Sequence, residues 1–470
     1  MIIIGLFLLL PVIVTLFYNE YSYIPSFLIP AFGIFIISSV ILPFLKKDEL
    51  ESFSSRDGIL FVNLAWLLAG LIGSLPFLIS KSIPSFTDAF FETMSGFTTT
   101  GASILTDIEK LPKSILFWRA LTHWLGGMGI VVLTIAVLPF IGSGGMQLIR
   151  PEVAGPSMEK AGNRIAQTAK NLWIIYLVLT ILETFLLMFF KLDLFEALTH
   201  SFATMATGGF SIWNKSVGYY NSAGVQITIT IFMILAASNY IFFYNLFTGR
   251  FKEAIKNEEL KFYLIIVSFS ILLCGFTLWI GGGRTLSNSF RNAAFHCASI
   301  LTTTGFVVED YTSWPFVSQI IIFLLMFIGG CSSSTGGGIK VIRILVLAKL
   351  ALHEINYRLH PRAVFSLNIS GRRTDKSFIY PIAAFFFVYI FFVLFITLCV
   401  SSGGYDLTTS LSTALATLGN IGPGFGKVSP AGNYAFFPDR IKWVLSFAMM
   451  AGRLELYTFI IIFTKRFWKD

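Results

Sequence analysis

Charged side chains are sparse along this chain: Asp, Glu, Lys and Arg make up 13% of its 470 residues, about half the share usual in soluble domains. Such a surface cannot be kept in water, so a soluble globular protein is excluded. Cysteine is equally scarce. Cys274, Cys297, Cys331 and Cys399 lie in or beside apolar runs without CxxC spacing, which excludes a disulfide framework and a zinc site. No HExxH, GxSxG or paired-acid motif occurs within the apolar runs and no phosphate-binding P-loop is present, so a membrane-embedded enzyme is not indicated. A net charge of +9 invites a nucleic-acid reading, but the basic residues do not cluster with aromatics on one soluble face, and no nucleic-acid partner is expected.

What the chain has instead is apolar length. The sequence is 55% hydrophobic with a mean hydropathy of +0.77, and a helix needs about 20 mostly apolar residues to cross hydrocarbon. Ten candidate spans follow, near 2–18, 24–45, 58–80, 112–140, 171–190, 221–247, 262–281, 316–350, 377–400 and 434–463. The first run lacks a basic n-region and a clear small-residue cleavage site, and reads as a retained span rather than a signal peptide. Segments 46–57, 141–170, 248–261, 340–376 and the C-terminal tail hold 22 of the 34 Lys and Arg residues, all on one side of a ten-span topology. The positive-inside rule makes that side, and both termini, cytoplasmic.

On the opposite side lie four stretches too apolar for loops and too short to cross: "SFTDAFFETMSGFTTTGAS", "LFEALTHSFATMATGGFS", "SNSFRNAAFHCASILTTTGF" and "LTTSLSTALATLGNIGPGFG". Each holds about three turns of possible helix, then small polar residues and a glycine. Aligned on that glycine they give Gly101, Gly208, Gly305 and Gly422, spaced by 107, 97 and 117 residues. This is an internal repeat of span, short re-entrant helix, glycine-containing segment and span.

Non-helical backbone at membrane depth survives only where protein buries it or it lines a watery cavity. Four such units around one axis would supply that cavity. Glycine has no Cβ and permits conformations closed to other residues, so neighbouring carbonyl oxygens can turn toward the axis and replace the water shell of a dehydrated cation. The expected filter comprises Thr99, Thr100 and Gly101; Thr207 and Gly208; Thr303, Thr304 and Gly305; and Asn420, Ile421 and Gly422. A single "TTTG" reads equally well as a polar turn; four at matching places do not. The fourth copy departs from the rest, with Ile421 before its glycine and Pro423 after it.

The segments "TTTGAS", "ATGGFS", "TTTGF" and "NIGPG", together with "RALTHWLGGMGI", "GGCSSSTGGGIKVIR" and "AGRLELYT", resemble the Trk/Ktr/HKT superfamily of potassium transporters, and its TrkH branch in particular. The resemblance covers nearly the whole chain. It implies an all-α polytopic membrane protein of four pseudo-symmetric M1, P, M2 repeats around one pore: a two-helix N-terminal region at 1–50, then repeats at 51–145, 146–250, 251–352 and 353–470. It also implies potassium as the transported ion, held at Thr100, Gly101, Thr207, Gly208, Thr304, Gly305, Ile421 and Gly422. No other cofactor is implied. A homodimer in a bacterial inner membrane is implied as well, with a cytosolic nucleotide-binding regulatory subunit of the TrkA type. Two departures from the family pattern stand out: His123 where Gln is usual, and Ser332 to Ser334 where a glycine or alanine is usual.

The eighth span is interrupted by "GGCSSSTGGG". Glycine in a helix interior costs about 1 kcal/mol against alanine, so Gly329, Gly330, Gly336, Gly337 and Gly338 around Ser332, Ser333, Ser334 and Thr335 should break it. An intramembrane loop across the pore beneath the filter is expected, able to gate by a change of order; the alternative is a close-packing site between helices. Arg453 lies within the last span, where a charge costs about 2.5 to 3.5 kcal/mol on insertion scales. It is expected to face the pore and meet this loop, with a buried ion pair to another repeat as the alternative.

Weaker candidates remain. His123, His200, His296, His353 and His360 do not converge as metal ligands. Asp88, Glu92 and Glu196 on the re-entrant helices either concentrate cations in an outer vestibule or pair locally. "WLGGMG" at 124–129 reads as helix packing. The basic loop 352–376 is placed to dock a cytosolic partner or to meet anionic membrane lipid. The rival to an ion-conducting protein is a secondary transporter of another cation or small solute, which also uses broken helices but usually through inverted repeats; all four units here run in one sense.

Overall fold

In the computed structural model of the chain, residues 1–41, 43, 55–137, 158–247, 249, 256–281, 283–360, 368–370, 372–373 and 376–469 are described. The N-terminal region comprises α1 (Ile2–Phe7), α2 (Leu9–Phe17) and α3 (Ile24–Ile41). The first two pack on the third and stand beside repeat 1.

Repeat 1 is built from α4 (Ser55–Ile79), α5 (Phe86–Phe97) and α6 (Lys113–Val137). In repeat 2, α7 (Met158–Phe189) and α8 (Leu194–Met205) precede α9 (Ala223–Ala236) and α10 (Tyr240–Phe247). Repeat 3 has α11 (Glu258–Gly281), α12 (Leu286–Leu301), α13 (Phe316–Leu325) and α14 (Val341–Leu359). A hairpin of β1 (Asn368–Ile369) and β2 (Arg372–Arg373) then leads to α15 (Lys376–Ser401), α16 (Leu407–Leu418), α17 (Asp439–Arg453) and α18 (Tyr457–Ile460) of repeat 4.

Each short helix packs against the long helix before it. Three of the four also meet a neighbouring repeat: α8 lies on α6, α12 on α9, and α5 on α17, which joins repeat 4 back to repeat 1. The long first helices form the outer layer. Phe185 on α7, Phe269 on α11 and Phe387 on α15 point outward and are exposed, as a hydrocarbon-facing rim requires.

Among the described residues, five helices are long and apolar enough to cross a membrane singly, and two bent pairs add up to two more spans. The bent pairs correct the expectation of continuous spans at 221–247 and 434–463: α9 and α10 meet at 93°, and α17 turns by 120° into the segment that follows. The second break has a clear local cause, because Glu455 and Leu456 are both left-handed, with φ of 57° and 54°, a conformation that no regular α-helix contains.

Candidate functional site

All four short helices start in the same way. The side chains of Ser85, Asp193, Thr285 and Asp406 accept hydrogen bonds from the amides of Asp88, Glu196, Asn288 and Thr409, three residues on. These are N-caps, which satisfy amides that a helix leaves unpaired at its first turn. The helices also end alike. The amides of Thr100, Gly208, Thr304 and Ile421 reach back to the carbonyls of Ser95, Ala203, Ser299 and Ala416 at 2.8 to 2.9 Å, the six-to-one bond of a Schellman motif. That motif needs a left-handed residue, supplied by Thr99, Thr207, Thr303 and Asn420 at φ of 53° to 58°. Threonine is β-branched and disfavours this region, so three of the four walls hold strained backbone where function commonly places it.

Two residues later the chain is left-handed again, at Gly101, Gly209 and Gly305 with φ of 78° and at Gly422 with 93°. The register in repeat 2 therefore differs by one residue from the sequence alignment. Gly209 occupies the place of Gly101, Gly305 and Gly422, while Gly208 stands level with Thr100, Thr304 and Ile421. Aligning on the first glycine of "TGG" missed this because either glycine tolerates the required φ. Gly208 has a separate reason to lack a side chain: a Cβ there would stand 2.5 Å from the His123 ring.

The four segments meet around one axis. A Cβ on Gly101 would collide with the carbonyl oxygen of Gly208, one on Gly209 with that of Thr304, one on Gly305 with that of Ile421, and one on Gly422 would lie 2.7 Å from that of Thr100. Each wall thus abuts the next, and the sequence of contacts returns to its start. Asn420 Nδ2 donates to Thr100 Oγ1 at 2.9 Å across the same junction. Among the described residues no donor reaches the carbonyl oxygens of Thr100, Thr304 and Ile421, although all three residues are fully buried. Buried carbonyls are nearly always paired. The C-terminal ends of all four short helices, which carry partial negative charge, are directed to the same place.

A second set of equivalent positions, five residues before each helix end, braces the segments that leave the ring. Glu92 accepts from Ser103 Oγ and the Ile104 amide at 2.9 Å each; His200 Nε2 lies 3.1 Å from Ser211 Oγ; His296 Nε2 accepts from the Glu309 amide at 3.3 Å. Thr413 holds the place in repeat 4, but among the described residues its hydroxyl has no partner, and the neighbouring Ser412 accepts from the Phe425 amide at 3.0 Å instead. Superposing the four short helices by their ends would have put these residues in one column, a signal that counting histidines does not give. Arg119 joins two walls, pairing with Glu92 at 2.6 Å, donating to the Ser211 carbonyl at 2.8 Å and lying 3.5 Å over the Phe210 ring.

Above the ring a cavity of about 250 Å³ is lined by Gly101, Gly209, Gly305 and Gly422. In the fourth wall Tyr434 donates its hydroxyl to the Gly422 carbonyl at 2.6 Å, and Tyr311 to that of Gly424 at 2.8 Å. These tyrosines hold a segment whose sequence departs from the rest, and its backbone follows the common pattern. Two of the three acids are engaged in ion pairs: Glu92 with Arg119, and Asp88 with Lys442 at 2.5 Å. Glu196 sits in the first turn of α8, over the Asp193 cap.

On the other side of the ring the chain between α13 and α14 leaves the helix from Met326 to Lys340. Its ends are joined by a bridge between Ile328 and Ile339, and by bonds from the Gly329 amide to Ile339 and the Val341 amide to Gly330. Gly329, Gly330, Ser332, Ser333, Ser334, Thr335, Gly336, Gly337 and Gly338 all fall within this loop. Thr335 Oγ1 lies 3.0 and 3.1 Å from the carbonyls of Met205 and Ala236, the Gly337 amide donates to Thr303 Oγ1 at 2.6 Å, and a Cβ on Gly337 would be 2.9 Å from that of Asn420. The loop therefore lies against the ends of three repeats, directly beneath the ring.

Arg453 is buried and donates to the Thr335 carbonyl at 2.6 Å and the Gly126 carbonyl at 3.2 Å. No carboxylate pairs with it among the described residues. Glu455 turns instead to Arg343 at 2.5 Å. "WLGGMG" packs as expected: a Cβ on Gly126 would strike the Phe97 carbonyl, and one on Gly127 would stand 2.8 Å from the Ala206 backbone. His123 contacts the Gly96 carbonyl at 2.7 Å and stacks on Phe210. His360 caps the end of α14.

With this geometry in place, comparison with known proteins is direct. The TrkH family, described as a cation transport protein, matches residues 26–470. The Trk system potassium uptake protein TrkH of Escherichia coli (strain K12) is 38% identical over 429 residues, 90% of this chain and 88% of that protein. TrkG of the same organism is 36% identical over 99% of this chain and 96% of its own length. The crystal structure of the potassium transporter TrkH from Vibrio parahaemolyticus superposes with a TM-score of 0.90 at 36% identity, covering 100% of this chain and 97% of that one. The chain belongs to the TrkH family of cation transport proteins.

Proposed function

We propose that this protein takes up potassium across a bacterial inner membrane, using the four-walled carbonyl ring as its selectivity filter. The observation that carries this reading is the set of buried carbonyl oxygens at Thr100, Thr304 and Ile421 without donors among the described residues, on which four helix C-termini converge. A dehydrated monovalent cation is the group that such oxygens lack. Thr100, Gly101, Thr207, Gly208, Thr304, Gly305, Ile421 and Gly422 hold the ion, and Gly209 joins them by register. The relatives named above are potassium uptake proteins by title, which favours potassium over sodium.

The loop 329–338, with Arg453 behind it, is the gate. It obstructs the path under the filter, and the guanidinium adds a positive barrier that a passing cation must overcome. Both termini are cytoplasmic on the distribution of basic residues. A cytosolic nucleotide-binding subunit of the TrkA type controls the gate from that side, and the protein works as a homodimer. Part of the expected docking loop, 361–367, lies outside the described residues, as does most of 141–170.

The test is flux into liposomes holding the purified protein, comparing potassium, rubidium and sodium with and without an imposed proton gradient. Potassium and rubidium entering well ahead of sodium supports the reading. Equal entry of all three, or uptake of none, removes it.

A further inference from the structure

Among the described residues, Glu259 is a buried carboxylate with no cation beside it in an ion pair, and every polar contact it makes is to the machinery beneath the ring. It lies in the first turn of α11, 4% exposed. Its Oε1 accepts from the Ser332 amide at 2.6 Å, Ser332 Oγ at 2.9 Å and the Ile342 amide at 3.2 Å. Its Oε2 accepts from Asn239 Nδ2 at 3.4 Å. Ser332 is near the start of the loop, Ile342 follows its end, and Asn239 is in the break between α9 and α10. One carboxylate therefore ties both ends of the loop together and fastens them to the bend in repeat 2. Hydrogen bonds to a charged acceptor are roughly twice as strong as neutral ones, and a buried carboxylate holds its donors firmly because losing them leaves an uncompensated charge.

The preceding residue faces another way. Glu258 pairs with Lys349 on α14 at 2.6 Å, and Lys349 donates to the Asn368 carbonyl of the β-hairpin at 2.7 Å. The Glu258 amide reaches Ser370 Oγ at the hairpin tip. Two adjacent acids thus link the hairpin after α14 to the loop under the ring, through a single helical turn.

We propose that Glu259 is the positioning residue that latches the loop across the pore, and that Glu258 makes the hairpin the lever by which a protein bound on that face releases it. This rests on reading the loop as the gate. Pulling the hairpin moves the first turn of α11 and withdraws the acceptor shared by Ser332 and Ile342, without touching the ring.

Glu259→Gln and Glu259→Ala in the full chain test it, by rubidium uptake into liposomes and by hydrogen exchange at the Ser332 and Ile342 amides. Uptake should rise by about ten-fold in the alanine variant and less in the glutamine variant, the scale expected for lost charged hydrogen bonds. Exchange at both amides should quicken, and the ratio of potassium to sodium flux should stay at the parent's value. Lys349→Met should also quicken exchange at Ser332. Parental uptake with parental exchange overturns the latch; so does a collapse of the ion ratio, which would place Glu259 in service of the ring. Unchanged exchange in Lys349→Met overturns the lever. A parent protein that carries no rubidium would mark failure of the functional reading instead, and amide exchange then still decides the latch. If the alanine variant fails to fold, the glutamine variant gives both readouts.

Discussion

The two sides of the ring are built on opposite plans. Toward the cavity the four repeats are near copies: a capped short helix, a left-handed residue and a left-handed glycine two places on, with a side-chain brace five residues before the helix end in three of them. Toward the loop, the four second helices all differ. The helix of repeat 1 runs unbroken past Gly126, that of repeat 2 bends by 93° after Ala236, that of repeat 3 opens into the loop, and that of repeat 4 turns by 120° after Arg453. Ion coordination by backbone demands equal walls, since a site enclosing a spherical cation gains nothing from one odd side. A gate demands the reverse, a single movable element held against fixed ones. Under the proposed function, symmetry marks the part that selects, and its loss marks the part that regulates.

The sharpest way to break this comparison is to damage one wall. Gly209→Ala and Gly305→Ser each force a side chain into a left-handed position and into a neighbouring carbonyl. Either should lower discrimination of potassium from sodium by about ten-fold or more, equivalent to roughly 1.4 kcal/mol, as read by competitive rubidium and sodium uptake. Similar losses from two different repeats support equal walls; a loss from one alone contradicts them. Gly208→Ala sharpens the register. Its new methyl meets the His123 ring, so His123→Ala should restore selectivity to this variant and leave Gly209→Ala unrescued.

Smaller effects are expected on the other side. Arg453→Gln, or a loop shortened by Ser332 to Ser334, should raise rubidium uptake several-fold while the ion ratio is unchanged, measured in the same liposomes without added partner. Unaltered flux would assign Arg453 to packing alone. The smallest effects return to the symmetric side: Ser85→Ala, Asp193→Ala, Thr285→Ala and Asp406→Ala each remove one cap, worth about 1 kcal/mol. Thermal melting of the purified variants should show four similar shifts.

Much of this was legible in the sequence because the repeat is covalent. Gly101, Gly305 and Gly422 were found by recurrence, and the broken eighth span by five glycines that no helix would carry together. The bends after Ala236 and Arg453 were hidden, since their breakers are ordinary residues: Ser238 and Asn239 in one case, Glu455 and Leu456 in the other. A left-handed Leu456 cannot be read from composition, because leucine ordinarily avoids that region. Gly209 was missed for the opposite reason, two adjacent glycines offering two registers of equal local merit. Lys442 beside Asp88, Ser332 beside Glu259 and Thr335 beside Arg453 lie far away along the chain, and only the fold brings these partners together.

The central claim is that main-chain oxygens of Thr100, Gly208, Thr304 and Ile421 hold the passing ion. Anomalous diffraction from crystals grown in rubidium tests it directly. The account predicts rubidium density on the axis between these four residues, lost when sodium replaces rubidium. Rubidium bound only at acidic side chains, with the ring empty while uptake persists, would contradict it.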